Sequence, residues 1–254
     1  MRIEGTINPA RTLSGDFFDI IELGNDQVGI AMGDVSGKGV PASLTMMAII
    51  NSIRVLVHKV KKANEMLAEL NESLYESETT IEDFLQYSTG FYAMLDLKTL
   101  RMSYAMAGSE KPLWWHGKDR LMSQLDGEGL PLGMFFKTKY SVEKIKLEPG
   151  DKLIFFTDGA TDVQDPNGVR YGRQALMHSV EKNCLKSEGN LINAIMNDIV
   201  NYQRGAAPVD DVAIMTVEVT GPPLGGKEEA EGDAFNESRP DFAPGKTEAN
   251  LFQP

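Results

Sequence analysis

Four aspartate positions in this chain carry the types and spacing that could do chemistry: Asp16, Asp34, Asp158 and the pair Asp210-Asp211. Asp34 follows the apolar run Val28-Gly29-Ile30-Ala31-Met32 and opens Val35-Ser36-Gly37-Lys38-Gly39-Val40-Pro41-Ala42. That reads as a strand end, a glycine turn and the first turn of a helix, where proline is tolerated because its missing N–H has no partner to lose. Asp158 ends the buried-type strand Leu153-Ile154-Phe155-Phe156-Thr157 and precedes Gly159, and Asp210-Asp211 opens the last strand. Singly, an aspartate beside a glycine is a turn former. Jointly, carboxylates at several strand ends aimed at one place repel one another unless a cation neutralises them. Hard divalent ions prefer oxygen ligands, so Mg²⁺ or Mn²⁺ is expected rather than zinc. Two such ions about 3.5–4 Å apart can lower the pKa of a shared water and align it for in-line attack on phosphorus. That chemistry needs no side-chain nucleophile, and the chain offers no convincing one.

The elements that must position these carboxylates can be read in outline. Leu13 to Leu23 and Gln27 to Met32 read as a hairpin around Gly24-Asn25-Asp26. Two helices follow, Pro41 to Val60, with Leu44, Met47, Ala48, Ile50 and Val55 as its apolar pattern, and Asn64 to Tyr75, with Met66, Leu67, Leu70 and Leu74 on one face and Asn64 as N-cap. Short strands are expected over 88–95, 102–107, 113–116, 120–125, 140–147 and 151–157. Helices near 172–183 and 191–202 then precede a last strand, 212–219. Blocks of strands alternating with pairs of helices, without a strict βαβ rhythm, predict an α+β layered sandwich.

Of the 254 residues, 42% are hydrophobic, enough for one large domain with a substantial core. The net charge of −12 argues against non-specific binding to nucleic acid or to an anionic membrane, and implies that phosphate would be handled through cations. Cys184 is the sole cysteine, so there is no disulfide frame and no thiolate metal site, and a cytoplasmic setting is expected. No apolar run reaches the length of a membrane span and the N-terminus does not read as a signal peptide. Residues 221–254 hold five of the twelve prolines, seven acidic and three basic residues, and read as a disordered acidic tail behind a domain at 1–220. His58, His116 and His178 are isolated and read as surface or core residues, Met46, Met47 and Met66 as helix-core filler, and Trp114-Trp115 as alternate faces of one strand.

The stretches Ser14-Gly15-Asp16-Phe17-Phe18-Asp19, Gly33 to Ala42, Thr157-Asp158-Gly159 and Asp210-Asp211-Val212-Ala213 resemble signature motifs of the metal-dependent serine/threonine protein phosphatases (type 2C-like), in their bacterial SpoIIE-like branch. The likeness extends through Ala107-Gly108, Gly129-Leu130-Pro131-Leu132-Gly133 and Leu147 to Asp151, in the right order over roughly residues 5 to 220.

The resemblance implies an αββα sandwich, two antiparallel sheets flanked by helix pairs, with two Mn²⁺ or Mg²⁺ at one end. Asp34 would bridge both ions, the Val35 carbonyl would bind one, and Asp158 and Asp210 would complete the other. Asp16 would ligate or hold a coordinated water, with Asp211 and Asp19 in the surrounding shell and Asp211 a further candidate ligand. The substrate implied is a phosphoserine or phosphothreonine protein, commonly the phosphorylated antagonist of an anti-sigma factor in a partner-switching pathway. The helices over 41–75 would be a switch and homodimer surface. Branch members often carry a sensor or receiver domain before the phosphatase; here the motifs begin almost at Met1, and the chain is expected to be either a stand-alone enzyme or a piece of a longer one. The chain departs from usual residues at Ser14, Phe18, Lys38, Ala213 and Gly108-Ser109-Glu110, while keeping every expected ligand. Lys38 and Arg11 are candidate phosphate-binding residues. The rival reading is a regulatory module that keeps the fold and binds a signalling partner without turnover. A nucleotide hydrolase on the same metals lacks a glycine fingerprint or a basic groove.

Overall fold

Period-two alternation sorts the strands into two sheets, each covered on both faces. The computed structural model describes residues 1–78, 86–186 and 190–221. One sheet has the order β1 (Arg2–Asn8), β10 (Val212–Glu218), β9 (Lys152–Phe156), β6 (Leu113–His116), β7 (Leu121–Gln124). The other runs β2 (Phe17–Gly24), β3 (Gln27–Gly33), β4 (Gly90–Asp96), β5 (Arg101–Ala107), β8 (Glu143–Lys146). Every pairing within them is antiparallel.

Between the sheets lie Val28, Ile30 and Met32 of β3, Phe91, Ala93 and Leu95 of β4, Leu153 and Phe155 of β9, and Ala213, Met215 and Val217 of β10. The alternate residues face outward into two further cores. Ala31, Tyr92 and Ala105 meet the helices α1 (Val40–Leu56) and α2 (Ala63–Glu78), whereas Ile154, Phe156 and Ile214 meet α4 (Gly172–Cys184) and α5 (Leu191–Gln203). Burial on both faces is why β3, β9 and β10 read as continuous apolar runs although their sheets are antiparallel. The result is the expected four-layer αββα sandwich.

Local chemistry explains the connections. Asn25 and Asp26 take left-handed backbone (φ 51° and 60°), the conformation a tight β2–β3 hairpin requires. Met66, Leu67, Leu70 and Leu74 of α2 are buried as the helical spacing predicts, each contributing about 1.5–3 kcal/mol of transfer free energy.

Several expectations need correction. The strand foreseen from Leu13 begins only at Phe17, because residues 9–16 are used as a loop. Asn64 lies inside the first turn of α2 rather than capping it, and its buried Oδ1 has no partner among the described residues. Most of the apolar pattern assigned to α1 faces outward: Leu44, Met47, Ala48 and Val55 are exposed and only Ile50 packs against the helix–sheet core, while Ala42, Ser43, Ile49 and Ile53 are buried. Met47 is therefore not core filler, while Met66 is. β1 and the four-residue helix α3 (Gly159–Asp162) lacked a distinct sequence signal. Among the described residues no helix is long and apolar enough to cross a membrane. The tail over 221–254 lies outside the described residues apart from Gly221.

Candidate functional site

The acidic residues meet at one end of the sandwich, each set by the end of a different strand. Asp34 follows β3, and its backbone is locked: its N–H donates to Thr89 Oγ1 at 2.9 Å, and its carbonyl accepts from Thr89 N at 2.8 Å and Ser88 Oγ at 2.9 Å. Asp158 lies between β9 and α3, and Asp16 immediately before β2. Asp16 is 2% exposed, and its Oδ2 accepts from Thr157 Oγ1 at 2.7 Å. The same Thr157 oxygen accepts from Ala213 N at 3.1 Å, tying this carboxylate to β10 as well. Asp211 closes the loop over it, Oδ1 accepting from Ala10 N at 2.7 Å and Oδ2 from Gly15 N at 2.9 Å. A Cβ added at Gly159 would run into the Asp211 carbonyl, so glycine is what lets the β9–α3 turn pack against the start of β10.

This gathering is electrostatically costly. Burial, then the charge of Asp34, pushes the Asp16 carboxyl well above the usual carboxylate range. Asp34 is raised chiefly by burial, with its interaction with Asp16 opposing the shift and Asp158, Asp210 and Asp211 adding to it. Asp158 is raised by burial and then by Asp210. Mutual repulsion of this kind is what a divalent cation relieves.

The donor set fits a hard cation in chemistry and in charge: all oxygen, all carboxylate, on rigid strand ends. In convergence it is incomplete, since among the described residues no three acidic, imidazole or thiolate groups are gathered closely enough to hold an ion as they stand. The reason is visible in their partners. Asp211 is occupied by backbone amides, Asp16 by Thr157, and Asp210 Oδ2 lies 3.1 Å from the Lys38 ammonium.

Beside the carboxylates is a pocket whose walls include Asp34, Thr89, Phe91, Ser109, Glu110, Phe155, Thr157 and Asp158. Among the described residues, Ser109 Oγ is buried there without a hydrogen-bond partner, an orphaned polar atom at the wall of the site. Glu110 is held by Arg173, whose Nη1 donates to Oε2 at 2.7 Å while the guanidinium lies over the Phe156 ring. Thr89 and Ser88 were not legible in the sequence, because a residue 55 positions from Asp34 becomes its backbone partner only through β3–β4 pairing. Thr157 stands inside a quoted motif, but nothing in that motif specifies its bond to Asp16.

The remaining candidates disperse. Arg11 is exposed on the loop that Asp211 holds. Asp19 is engaged by Arg54 of α1, which grips it with Nε and Nη2 at 2.7 and 3.0 Å, pinning α1 to β2. His58 and His178 are exposed, and His116 is buried against Ser123. Burial pushes the Cys184 thiol up to about 12, leaving it inert. Trp114 donates to Asp151 and faces the sheet-to-sheet core, while Trp115 faces the helices.

The model of the family described as Stage II sporulation protein E (SpoIIE) matches residues 24–220. The chain is 26% identical over 239 residues to Protein IcfG of Synechocystis sp., covering 85% of this chain and 37% of IcfG. It is 28% identical over 195 residues to the phosphoserine phosphatase RsbU of Bacillus subtilis, covering 77% of this chain and 56% of RsbU. The chain thus spans little more than half, or less, of these relatives' length. Among solved structures, the SiaA-PP2C domain of Pseudomonas aeruginosa shares the fold with a TM-score of 0.75 at 19% identity, covering 85% of each chain.

Proposed function

The chain belongs to the SpoIIE family, and from that premise we propose that it is a metal-dependent phosphatase acting on phosphoserine or phosphothreonine of a regulatory protein in the cytoplasm. The observation that carries the reading is that Asp16, Asp34, Asp158, Asp210 and Asp211 come from separate strand ends to one edge, where burial and their charges raise the pKa of Asp16, Asp34 and Asp158 beside a pocket lined by Asp34 and Asp158. The substrate favoured is a phosphorylated anti-sigma-factor antagonist, which the motif resemblance implies; the likeness to the phosphoserine phosphatase RsbU supports a phosphoserine substrate.

Asp34, the Val35 carbonyl, Asp158 and Asp210 would hold two Mn²⁺ or Mg²⁺, with Asp16 and Asp211 behind them. Such ions, when bound, supply Lewis-acid polarisation of the phosphoryl oxygens and a water acid enough to attack phosphorus at neutral pH. The protein's own groups prepare the rest. Thr157 holds Asp16 in place, and Asp211 holds the 10–15 loop beside it. Thr89 and Ser88 keep Asp34 from moving. Ser109 Oγ is free to donate to a phosphoryl oxygen at the pocket wall, and Phe91 and Phe155 keep bulk water from its floor. Arg11 and Lys38 are the cations near enough in sequence to attract the incoming phosphate.

Phosphate release from a phosphoserine peptide is measured with Mn²⁺, Mg²⁺ or EDTA. We expect Asp34→Ala and Asp158→Ala to lose at least about 100-fold in turnover while staying folded. A rate near that of wild type in Asp34→Ala defeats the assignment.

A second reading, a phosphatase-fold module with little or no turnover, is favoured by Lys38 sitting on Asp210 and by the Ser109-Glu110 departure. Metal-dependent release by wild type removes it.

We further propose a homodimer through α1. Val40, Leu44, Met47 and Val55 recur on one stripe of that helix and are 49–66% exposed.

A further inference from the structure

Lys38 stands between Gly37 and Gly39, both at positive φ (92° and 76°), a backbone that carries its side chain across to the segment before β10. There Nζ donates to the Val209 carbonyl at 2.6 Å and lies 3.1 Å from Oδ2 of Asp210. Among the described residues this is the only ion pair made by any of the five site carboxylates. We propose that Lys38 is a built-in counter-ion which a divalent cation must displace from Asp210, so that it sets the cation concentration at which the centre fills.

The inference rests on the reading of the acidic cluster as a cation centre. An ammonium is a compact point charge that can neutralise one carboxylate oxygen. A divalent ion brings twice that charge to the same oxygen, so exchange runs in its favour as its concentration rises. The pair is also exchangeable, because both partners are 39% exposed and an ion pair in contact with water is weak. The bond to Val209 does not depend on Asp210, so the ammonium keeps an anchor when the carboxylate turns away.

Mn²⁺ binding to the full chain, read from the electron paramagnetic resonance of the free ion, tests this without reference to turnover. Lys38→Met should lower the dissociation constant about two- to fivefold, the range that a weak exposed pair corresponds to. Lys62→Met removes the same charge from a pair with Glu65 instead, and should leave the constant unchanged. Equal or weaker binding by Lys38→Met, or equal tightening by Lys62→Met, overturns the proposal while leaving the cation centre standing. Absence of Mn²⁺ binding by wild type overturns both. If Lys38→Met fails to fold, the wild-type chain decides. Its Lys38 ¹⁵Nζ resonance should move with the binding isotherm during Mg²⁺ titration, and an unmoved resonance at saturation overturns the proposal.

Discussion

Asp16 is the residue on which the cost of this site is most visible, because it is buried and bonded to Thr157 yet faces the charge of Asp34. A carboxyl whose folded pKa is raised keeps its proton where the unfolded chain has lost it. Its contribution to stability is therefore complete below the ordinary value of 3.8 and disappears as pH rises through the raised one. Asp34 acts in the same direction. In EDTA the urea midpoint should accordingly fall between pH 5 and pH 8, and Asp16→Asn, which keeps an acceptor for Thr157, should flatten that slope. A midpoint that rises with pH in wild type would contradict the electrostatic account. Sequence reading found this residue as a candidate carboxylate within the strand expected from Leu13, but not its raised pKa. The shift depends on burial and on Asp34, neither of which is a local property.

Among the elements, the turn from β9 into α3 and the helix α1 behave in opposite ways. Gly159 has the Asp211 backbone where a side chain would be, with backbone rather than a flexible side chain in the way. Gly159→Ala should cost about 2–4 kcal/mol in chemical denaturation and disorganise Asp158 and Asp210 together. An unchanged midpoint would show that the two segments part easily. On α1 the apolar stripe faces out, so Leu44, at 66% exposed, should tolerate change. Leu44→Glu should alter the monomer's stability by less than about 0.5 kcal/mol. It should also turn a dimer into a monomer in sedimentation; a wild type that is already monomeric at high concentration removes the dimer proposal. The helical period of α1 was legible, but a period does not say which of two apolar stripes meets the sheet. Asp19–Arg54 and the packing on Ala31 and Tyr92 decide that rotation. Ser43 takes an inward position because its hydroxyl bonds the Ser14 and Gly39 carbonyls.

For the whole molecule, the last bonds toward the C-terminus among the described residues are the β10 ladder and the exchange between Val219 and the Asp151 and Gly150 backbones. A chain cut after Gly221 should keep the wild-type melting temperature within about 2 °C and its metal-dependent phosphate release, since no described bond is lost. A collapse of either would assign residues 222–254 to the folded body. The amino-acid sequence by itself determined the layered class, the strand-end aspartates and their order, because alternation, glycine turns and carboxylates beside apolar runs are local signals. It also determined the family resemblance, through motifs of adjacent residues. Only the tertiary structure decided that Thr89 and Thr157 hold Asp34 and Asp16, that Asp211 is spent on the 10–15 loop, that Asp19 pairs with Arg54, and that Lys38 closes on Asp210. Each of these joins residues at least 35 positions apart: the Thr89 contact exists only once β3 and β4 have paired, the Arg54 contact only once α1 has packed on β2, and the Thr157, Asp211 and Lys38 contacts only once the two sheets have stacked.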